Sequence, residues 1–399
     1  MISKKEALSL LLSLAKRMPV ESIAINNCFE RVLANSLEAK CTHPPTDVSA
    51  MDGYAINKLD KKAGRVLKII GESAAGKSFP NALKRGETLR IFTGASLPAG
   101  SNCVVIQEDV TRENEKVTLN TNIDENDFVR SKGFDFVQGF KVKAPVRLRP
   151  ATISLIAAMN YSEIPVFKKP NVALIATGNE LISPGGLIGP DKIVSSIPYG
   201  LSAMLQSFGA VPTVFPIAKD DFTDIKNKLS DAKTYDLILT IGGVSAGDYD
   251  LVKRAAQEIG LKIKFHMVAM KPGKPLLAGE LASCPLIGLP GNPVSAMVCS
   301  QLMVKPLINK MLGVDSEFST KFQARLTKPL PKNGAREQFI RGTISISKSE
   351  LMVSPLDRQD SSLLSELRKA DVLIVRPPND PSLNTNKLVD IITFFPKFI

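Results

Sequence analysis

The chain has 399 residues, of which 44% are hydrophobic and 23% are charged, and its formal net charge is +12. This is the composition of a globular protein, and a chain of this length is expected to form about two to four domains. No segment contains the ~18 uninterrupted apolar residues of a membrane span, so the sequence predicts no membrane protein.

The cysteines and histidines lack the spacing of a disulfide framework or of a zinc site. Five cysteines are scattered singly, and the only histidines are His43 and His266. The positive charge would suit either nucleic acid or a small anion. Long basic runs and tryptophan are missing and tyrosine is scarce, so the usual features of nucleic-acid binding are absent. We therefore expect an anion-binding cleft on a generally basic surface, and no nucleic-acid partner.

An amphipathic helix is predicted over residues 1–18, ending near Pro19. Serines and basic residues interrupt its apolar run and no small-residue cleavage site follows, so it is not a signal peptide and we expect a cytoplasmic protein. A second helix is predicted to begin at Arg149-Pro150, because proline is favoured in a first helical turn. We expect the two helices to pair, so that residues 1–45 and 141–170 form a split, elongated N-terminal domain.

Residues 46–140 are predicted to form an inserted β domain. Its short strands are separated by turns that contain glycine and proline, a spacing typical of a small barrel or sandwich. The predicted strands are 66–70, 88–93, 103–107 and 116–119.

Strands and helices alternate over residues 171–315, which predicts a doubly wound α/β domain with parallel strands. Residues 316–399 return to short strands and are predicted to form a C-terminal, β-barrel-like domain. The predicted fold is therefore an elongated, multidomain α/β plus β chain.

Glycines and charged residues are concentrated where the strands of the α/β domain are predicted to end, the edge at which such sheets bind ligands. Glycine turns let backbone N–H groups approach phosphates, carboxylates suit Mg²⁺, and lysines neutralise oxyanions. Each turn alone also fits an ordinary strand-to-helix connection with solvated side chains. Five of them at one edge instead favour a site for a metal ion and an oxyanion. The five segments are ATGNEL, PIAKDD, GGVSAGDYD, AMKPGKP and GLPGNPVSA.

Several motifs resemble, in the same order, those of a known family. They are PPTDVSAMDGYA, IFTGASLPAG, VRSKGFD, ATGNEL, TIGGVSAGDYD, MKPGKPL and GLPGNPVSA. Over nearly its whole length the chain resembles the MoeA-type molybdopterin molybdenumtransferases, which include the gephyrin E domain and the plant Cnx E domain. The resemblance implies a four-domain homodimer that performs the last step of molybdenum cofactor synthesis. Molybdate would be inserted at the dithiolene of adenylylated molybdopterin and AMP released, with Mg²⁺ present.

The resemblance also implies roles for individual residues. The β insertion would contribute three of them across the dimer: Asp52, Thr93 and Arg130. The expected Mg²⁺ ligands are Glu180, Asp220 and Asp250, and the expected molybdate-binding group is Lys271, Lys274, Arg341 and Ser361. Two ammonium groups, a guanidinium and a hydroxyl can neutralise and orient a tetrahedral dianion. Further substrate-binding residues would be Gly242, Gly243, Ser245, Pro290, Asn292 and Pro293. The expected catalytic residues are Asp52, Glu180, Asp250, Lys271 and Lys274.

Five positions depart from the residues usual in the family: Val48, Asn179, Ser195, Ile197 and Met267. They affect the expected pterin side of the site and leave the oxyanion and metal groups intact. A scaffolding protein, like the gephyrin E domain, is an alternative, but no long linker or disordered tail is visible. An adenylyltransferase that loads molybdopterin with AMP is another, although the flanking domains would then be unexplained. The resemblance further implies molybdopterin adenylyltransferase and other cofactor-pathway proteins as partners.

Overall fold

The computed structural model describes residues 1–243, 251–314, 321–347 and 349–394. Within these ranges no helix combines the length and the apolarity that crossing a bilayer requires. The helices are α1 (Lys4–Leu12), α2 (Pro150–Ala158), α3 (Ile197–Phe208), α4 (Phe222–Asp231), α5 (Leu251–Glu258), α6 (Pro293–Cys299), α7 (Lys305–Met311) and α8 (Leu364–Leu367), with a π-helical turn, Ser300–Val304, between α6 and α7.

The strands of the first 170 residues are β1 (Val20–Ala24), β2 (Val32–Leu33), β3 (Leu37–Glu38), β4 (Val48–Ser49), β5 (Gly53–Ile56), β6 (Val66–Ser73), β7 (Glu87–Ile91), β8 (Cys103–Ile106), β9 (Val110–Glu113), β10 (Lys116–Leu119), β11 (Val129–Arg130), β12 (Lys141–Val142), β13 (Val146–Arg147) and β14 (Glu163–Phe167). The later strands are β15 (Asn171–Ala176), β16 (Leu181–Ile182), β17 (Ile193–Val194), β18 (Val211–Val214), β19 (Leu237–Ile241), β20 (Lys262–His266), β21 (Met270–Lys271), β22 (Leu277–Leu281), β23 (Cys284–Leu289), β24 (Lys321–Leu326), β25 (Glu337–Ser347), β26 (Glu350–Pro355), β27 (Val372–Arg376) and β28 (Leu388–Thr393).

A four-stranded sheet joins the segments on either side of the β insertion. Its strand order is β1-β14-β2-β13, and β1 pairs with β14 in antiparallel register from Val20 opposite Phe167 to Ala24 opposite Glu163. Residues before and after the insertion therefore share one sheet, and the exact domain boundaries stay a prediction.

The predicted pairing of the first two helices is wrong. Helix α1 packs against β20 and α7, and its Leu8 and Leu11 lie in the core cluster that contains Leu239 of the α/β sheet. Helix α2 instead contributes Ile156 to a separate cluster around the N-terminal sheet. An apolar helical stripe predicts that a face is buried, but it does not specify the partner. The helix is also shorter than predicted: it ends at Leu12, and it begins only at Lys4 because Ser3 caps it by accepting a hydrogen bond from the Glu6 N–H.

The β insertion contains a six-stranded sheet of order β8-β5-β7-β6-β10-β9, which confirms the predicted β-rich region. Side chains alternate between two core clusters, with Tyr54 and Val105 on one face and Ala55 and Val104 on the other. This alternation follows from the two-residue repeat of a strand.

A buried carboxylate, Asp60, connects loops of the β insertion. It is 1% exposed and accepts hydrogen bonds from Nε (3.0 Å) and Nη2 (3.0 Å) of Arg85, from Nη2 of Arg65 (3.1 Å) and from the N–H of Gly86 (3.1 Å). The hydrogen bonds from Arg85 are the largest influence that lowers the pKa of Asp60. The ionised form of this side chain therefore stabilises the folded insertion.

The α/β domain is a six-stranded sheet of order β18-β15-β19-β23-β22-β20, in which the first four strands are parallel. One apolar cluster covers one face and contains residues of α3, α6 and α7, and a second, with residues of α4 and α5, covers the other. The doubly wound fold is thus confirmed. Strand β22 was not predicted. It runs antiparallel to both β23 and β20, so β20 keeps the direction of the parallel strands and the segment after it emerges at their carboxyl edge.

The C-terminal region is a closed barrel. Its strands follow the order β25-β26-β24-β28-β27, and pairing of β27 with β25 closes the sheet. The short strand β21, which follows β20, adds to β25 in parallel register, with Met270 opposite Glu337 and Lys271 opposite Gln338. The KPGKP segment therefore lies between the α/β domain and the barrel.

Candidate functional site

A cavity of about 830 Å³ lies at the carboxyl ends of the parallel strands, where the sequence predicts the ligand site. We call it the strand-end cavity. It is lined by Ala176, Thr177, Gly178, Glu180, Leu181, Ile193, Val194, Ser195, Ser196, Ile197, Pro198, Asp220, Ile241, Gly242, Gly243, Gly291, Asn292, Pro293, Ser362 and Leu364. Pro290, which was also predicted as a substrate-binding residue, is buried and directly precedes the lining residue Gly291 in the sequence.

Two of the predicted metal ligands, Glu180 and Asp220, are exposed and line this cavity. A β-carbon on Gly178 would lie only 2.5 Å from the Glu180 carboxylate, so that carboxylate rests where only glycine leaves space. Asp220 and Asn179 bond reciprocally at 3.0 Å: the Asn179 N–H donates to Asp220 Oδ2, and the Asp220 N–H donates to Asn179 Oδ1. An aspartate at position 179 could accept the second bond equally well, so the departure to asparagine keeps the geometry and removes one negative charge.

The glycines that follow β19 allow close contact between strand ends. Gly242 has φ +86°, and a β-carbon there would lie 3.2 Å from the carbonyl oxygen of Thr177. A β-carbon on Gly291 would lie 3.6 Å from the Gly242 Cα. Backbone N–H groups can therefore approach a ligand in this part of the cavity. The predicted residues Ser245 and Asp250 lie outside the described residues.

A second cavity, of about 530 Å³, lies between the KPGKP segment and the barrel. We call it the basic cavity. It is lined by Lys271, Pro272, Gly273, Lys274, Pro275, Val294, Ser295, Arg336, Gln338, Phe339, Arg341, Gln359, Asp360 and Ser361. All four residues of the predicted molybdate-binding group are in this lining. The four residues thus lie around one cavity, in which four cationic side chains face one carboxylate, and their role in binding molybdate stays a prediction.

The lysines of the basic cavity are available to a ligand. Lys271 and Lys274 are exposed, and the ammonium group of neither makes a hydrogen bond or ion pair with the part of the chain that the structure describes. Gly273 between them has φ +104°, and a β-carbon there would lie 2.5 Å from Cys299 Sγ. The loop is therefore pressed against α6, and glycine is required at this position.

Arg341 is almost completely buried, at 2% exposure, and most of its donors are occupied by the neighbouring loop. Its Nε donates to Gln359 Oε1 at 3.3 Å, and its Nη2 donates to the carbonyls of Arg358 (3.2 Å) and Asp360 (3.0 Å). Its Nη1 is buried without a partner among the residues described. Burial lowers the pKa of Arg341, which stays protonated, so a charged donor is left unsatisfied.

The two cavities share a wall. Asn292, which lines the strand-end cavity, donates from Nδ2 to Ser361 Oγ of the basic cavity at 3.0 Å. The N–H of Val294 donates to the carbonyl of Ser361 at 3.0 Å. The single cleft expected from the sequence is therefore two adjoining chambers, one suited to a large ligand and one to an oxyanion.

The three residues predicted on the β insertion are not in this wall. Asp52 Oδ1 accepts hydrogen bonds from both the N–H and the hydroxyl of Thr93, each at 2.8 Å. These bonds, with the backbone N–H first, lower the pKa of Asp52. Arg130 lines a separate cleft of about 610 Å³ together with Val48. None of the three lines the strand-end or the basic cavity of this chain.

Sequence reasoning missed several lining residues. Arg336 and Gln359 face the basic cavity, and Ser362 faces the strand-end cavity. Ser362 also donates to Asp360 Oδ1 from its N–H and hydroxyl, and these bonds lower the pKa of Asp360. The segment RQDSS could have indicated Gln359 and Ser362, because consecutive polar residues in a loop of a barrel favour a binding site. No group of three or more histidine, cysteine or acidic side chains in the described ranges is placed to hold a metal ion.

Comparisons with known proteins agree with this architecture. Three family models match successive regions: "MoeA N-terminal region (domain I and II)" at residues 2–160, "Probable molybdopterin binding domain" at 173–310, and "MoeA C-terminal region (domain IV)" at 323–394. A molybdopterin molybdenumtransferase of Nostoc sp. is 34% identical over 327 residues, which are 79% of this chain and 75% of the relative. That of Haemophilus influenzae is 29% identical over 379 residues, 94% of each chain.

A solved structure has the same fold along the whole chain. The molybdopterin biosynthesis MoeA protein of Pyrococcus horikoshii matches with a TM-score of 0.82 and 28% identity, covering 99% of both chains. The fold, the adjoining cavities and the matches define a transferase of molybdenum cofactor biosynthesis. The chain belongs to the molybdopterin molybdenumtransferase (MoeA) family.

Proposed function

We propose that this chain inserts molybdate into the dithiolene of adenylylated molybdopterin and releases AMP in a Mg²⁺-dependent reaction. The observation that carries the proposal is the unpartnered donor of Arg341 in the basic cavity, beside two unpaired lysines. Among the described residues, the wall at Asn292 and Ser361 lies between these cations and a cavity large enough for a nucleotide-linked substrate.

Molybdate would be held in the basic cavity. The ammonium groups of Lys271 and Lys274 would neutralise the dianion, and the Arg341 guanidinium and Ser361 hydroxyl would orient it. Arg336 adds a further positive charge to the lining. Because Lys271 and Lys274 have no competing partner among the described residues, they can bind the oxyanion without first breaking an ion pair.

The adenylylated pterin would lie in the strand-end cavity. The backbone of Gly242 and Gly243 would approach its phosphates, and Asn292 and Pro293 would form the wall beside the basic cavity. The dithiolene must then point to the shared wall, since its two sulfurs displace oxygen from molybdate. The displaced oxygen leaves as water, so protons are needed there, and the ammonium groups of Lys271 and Lys274 would supply them.

Mg²⁺ would be held by the carboxylates of Glu180 and Asp220, with Asp250, outside the described residues, as the third ligand. The fit is good in chemistry, because exposed carboxylate oxygens are the donors that Mg²⁺ prefers. When bound, the ion would neutralise charge on the phosphates and so assist hydrolysis of the phosphoanhydride. In that step the oxygen of a water molecule adds to the adenylyl phosphorus to give AMP, and the molybdopterin phosphate departs with the proton.

Asp52, Thr93 and Arg130 would act across a homodimer. Their position away from both cavities of the same protomer is consistent with a site completed by a second copy. The bonds from Thr93 keep the Asp52 carboxylate ionised and oriented. A molybdopterin adenylyltransferase would supply the substrate.

The test is AMP release from adenylylated molybdopterin by the full chain, with and without molybdate and Mg²⁺. We expect release to require both ions. Lys271→Met and Lys274→Met should raise the molybdate concentration needed for half-maximal release, whereas Lys264→Met, an exposed lysine on β20 outside both cavities, should not. AMP release that proceeds at the same rate without molybdate would contradict the proposed reaction.

A further inference from the structure

We propose that the first residues of the chain, Ile2 to Lys4, are positioning elements for oxyanion binding, in that they hold the KPGKP loop against the barrel. We call residues 2–4 the N-terminal strap. The inference rests on the proposed molybdate site, and it concerns residues that do not themselves line the basic cavity.

The strap is hydrogen-bonded to the segment that leads into the KPGKP loop. Ile2 forms a parallel bridge with Val268. Its N–H donates to the carbonyl of Met267 at 3.2 Å, and its carbonyl accepts from the N–H of Ala269 at 2.8 Å. Ile2 is therefore held beside residues 267–269 by an isolated β-bridge.

Residues 267–269 are also hydrogen-bonded to the KPGKP loop and to the barrel strand that carries Arg341. The N–H of Val268 donates to the carbonyl of Lys274 at 3.0 Å, which closes the KPGKP loop. The carbonyl of Ala269 accepts from the N–H of Glu337 at 3.0 Å, at the start of the strand that carries Arg341. Residues 267–269 thus lie between the lysines and the arginine, and any displacement of this segment changes their separation.

Lys4 connects the strap directly to the barrel. Its Nζ lies 2.9 Å from Glu337 Oε1, and the two side chains are only 17% and 19% exposed. The same Nζ lies 4.8 Å from the ring centre of Phe339, a 2% exposed residue that lines the basic cavity. The strap therefore contacts the loop segment through Ile2 and the barrel strand β25 through Lys4, while the loop segment and β25 also contact each other.

At its other side the strap continues into α1, which is packed on the α/β domain. Ser3 caps α1, and Leu8 and Leu11 of that helix are buried in the α/β core. The position of Lys4 is consequently set by the α/β domain, although its partners belong to the barrel. The separation of the α/β domain and the barrel therefore sets the separation of the side chains that would bind the oxyanion. Shifts of a fraction of an ångström in these side chains are enough to weaken a multidentate oxyanion site.

The experiment compares Lys4→Met with the unmodified chain. Removing the ammonium group should raise the KM for molybdate about three- to tenfold in AMP release, with kcat and the KM for adenylylated molybdopterin unchanged. Lys4→Arg should restore most of the affinity, because it retains the charge and the contact with the ring. Lys5→Met is the matched control: Lys5 is exposed and makes no ion pair with the described part of the chain, so its loss should change nothing.

Two readouts separate this inference from the proposed function. Molybdate binding to the full chain, measured by calorimetry, should weaken in Lys4→Met, and amide exchange at Ala269 and Glu337 should accelerate. If the unmodified chain releases AMP with molybdate and Lys4→Met has the same molybdate affinity and exchange rates, the positioning role is overturned. If both KM values and kcat change together, the strap serves general stability and the inference is equally overturned. If the unmodified chain neither binds molybdate nor releases AMP, the proposed function itself fails.

Discussion

Replacing Arg341 by methionine tests the central feature of the basic cavity. Methionine has a similar length and is tolerated in buried positions, but it supplies neither charge nor donors. The substitution removes the unpartnered Nη1 and also the bonds from Nε and Nη2 to the loop of residues 358–360. Loss of Nη1 therefore affects molybdate binding, whereas loss of Nε and Nη2 affects folding. The change in binding free energy can then be compared with the change in the free energy of unfolding.

The effect on binding should be much larger than the effect on folding. A hydrogen bond to a charged group contributes about 1.5–3 kcal/mol. Since about 1.36 kcal/mol corresponds to a factor of ten, the Kd for molybdate should rise about 10- to 150-fold. Arg358, Gln359 and Asp360 are exposed, so water can replace the donors that they lose, and the free energy of unfolding should fall by only about 1 kcal/mol.

The assay is equilibrium binding of molybdate at constant ionic strength, together with thermal unfolding of the same samples. Arg358→Met is the control, because it removes an equal charge from an exposed side chain on the same loop that does not line the cavity. Unchanged molybdate affinity in Arg341→Met would refute the reasoning. An equal loss in Arg358→Met would show that general electrostatic attraction, rather than the buried donor, governs binding.

Three further predictions concern other parts of the molecule. Asp60→Asn should lower the free energy of unfolding of the β insertion by about 2 kcal/mol at neutral pH, because a buried carboxylate bonded to Arg85 is lost while the exposed arginines are resolvated. The folded pKa of Asp60 is lowered, so this stabilisation is present above about pH 4 and is lost as the pH falls further; denaturant titrations of both proteins in which the difference did not shrink in acid would contradict it. Asn179→Asp should lower the Mg²⁺ concentration for half-maximal AMP release, because it adds a negative charge beside the acidic ligands without losing the reciprocal bond; an increased Mg²⁺ requirement would count against the metal site. Mixing Asp52→Ala with Asp250→Ala chains should restore part of the AMP-releasing activity if the site is shared between protomers, and no recovery at any mixing ratio would exclude that arrangement.

Local patterns were sufficient for much of the fold. The alternation of strands and helices predicted the doubly wound domain, and the short strands predicted the β insertion and the C-terminal barrel. Strand β22 was missed because LAGEL contains glycine and alanine, which do not favour a strand. Missing this strand in the prediction did not alter the expected position of the site. Because β22 is antiparallel to both β20 and β23, those two strands are parallel to each other, and the KPGKP segment after β20 still emerges at the carboxyl edge.

Contacts between distant segments could not be predicted in this way. The stripe on α1 indicated a buried face, yet its partner is the α/β core and not α2, since periodicity carries no information about which surface is covered. The reciprocal bonds of Asn179 and Asp220 also depend on two strand ends that are 41 residues apart.

By itself, the sequence determined which residue types follow each strand, and therefore that carboxylates, glycines and lysines would meet at one edge of a parallel sheet. Tertiary structure alone decided that these groups divide into two cavities. The reason is that the wall at Asn292 and Ser361 forms only when the barrel packs against the α/β domain. It also decided that Arg341 is buried with one donor unsatisfied, because that depends on how a loop 17 to 19 residues further along the chain occupies its other nitrogens. The two-residue repeat of a strand sets the direction of its side chains. Burial and unsatisfied hydrogen-bond donors, in contrast, arise only when separate elements are packed together.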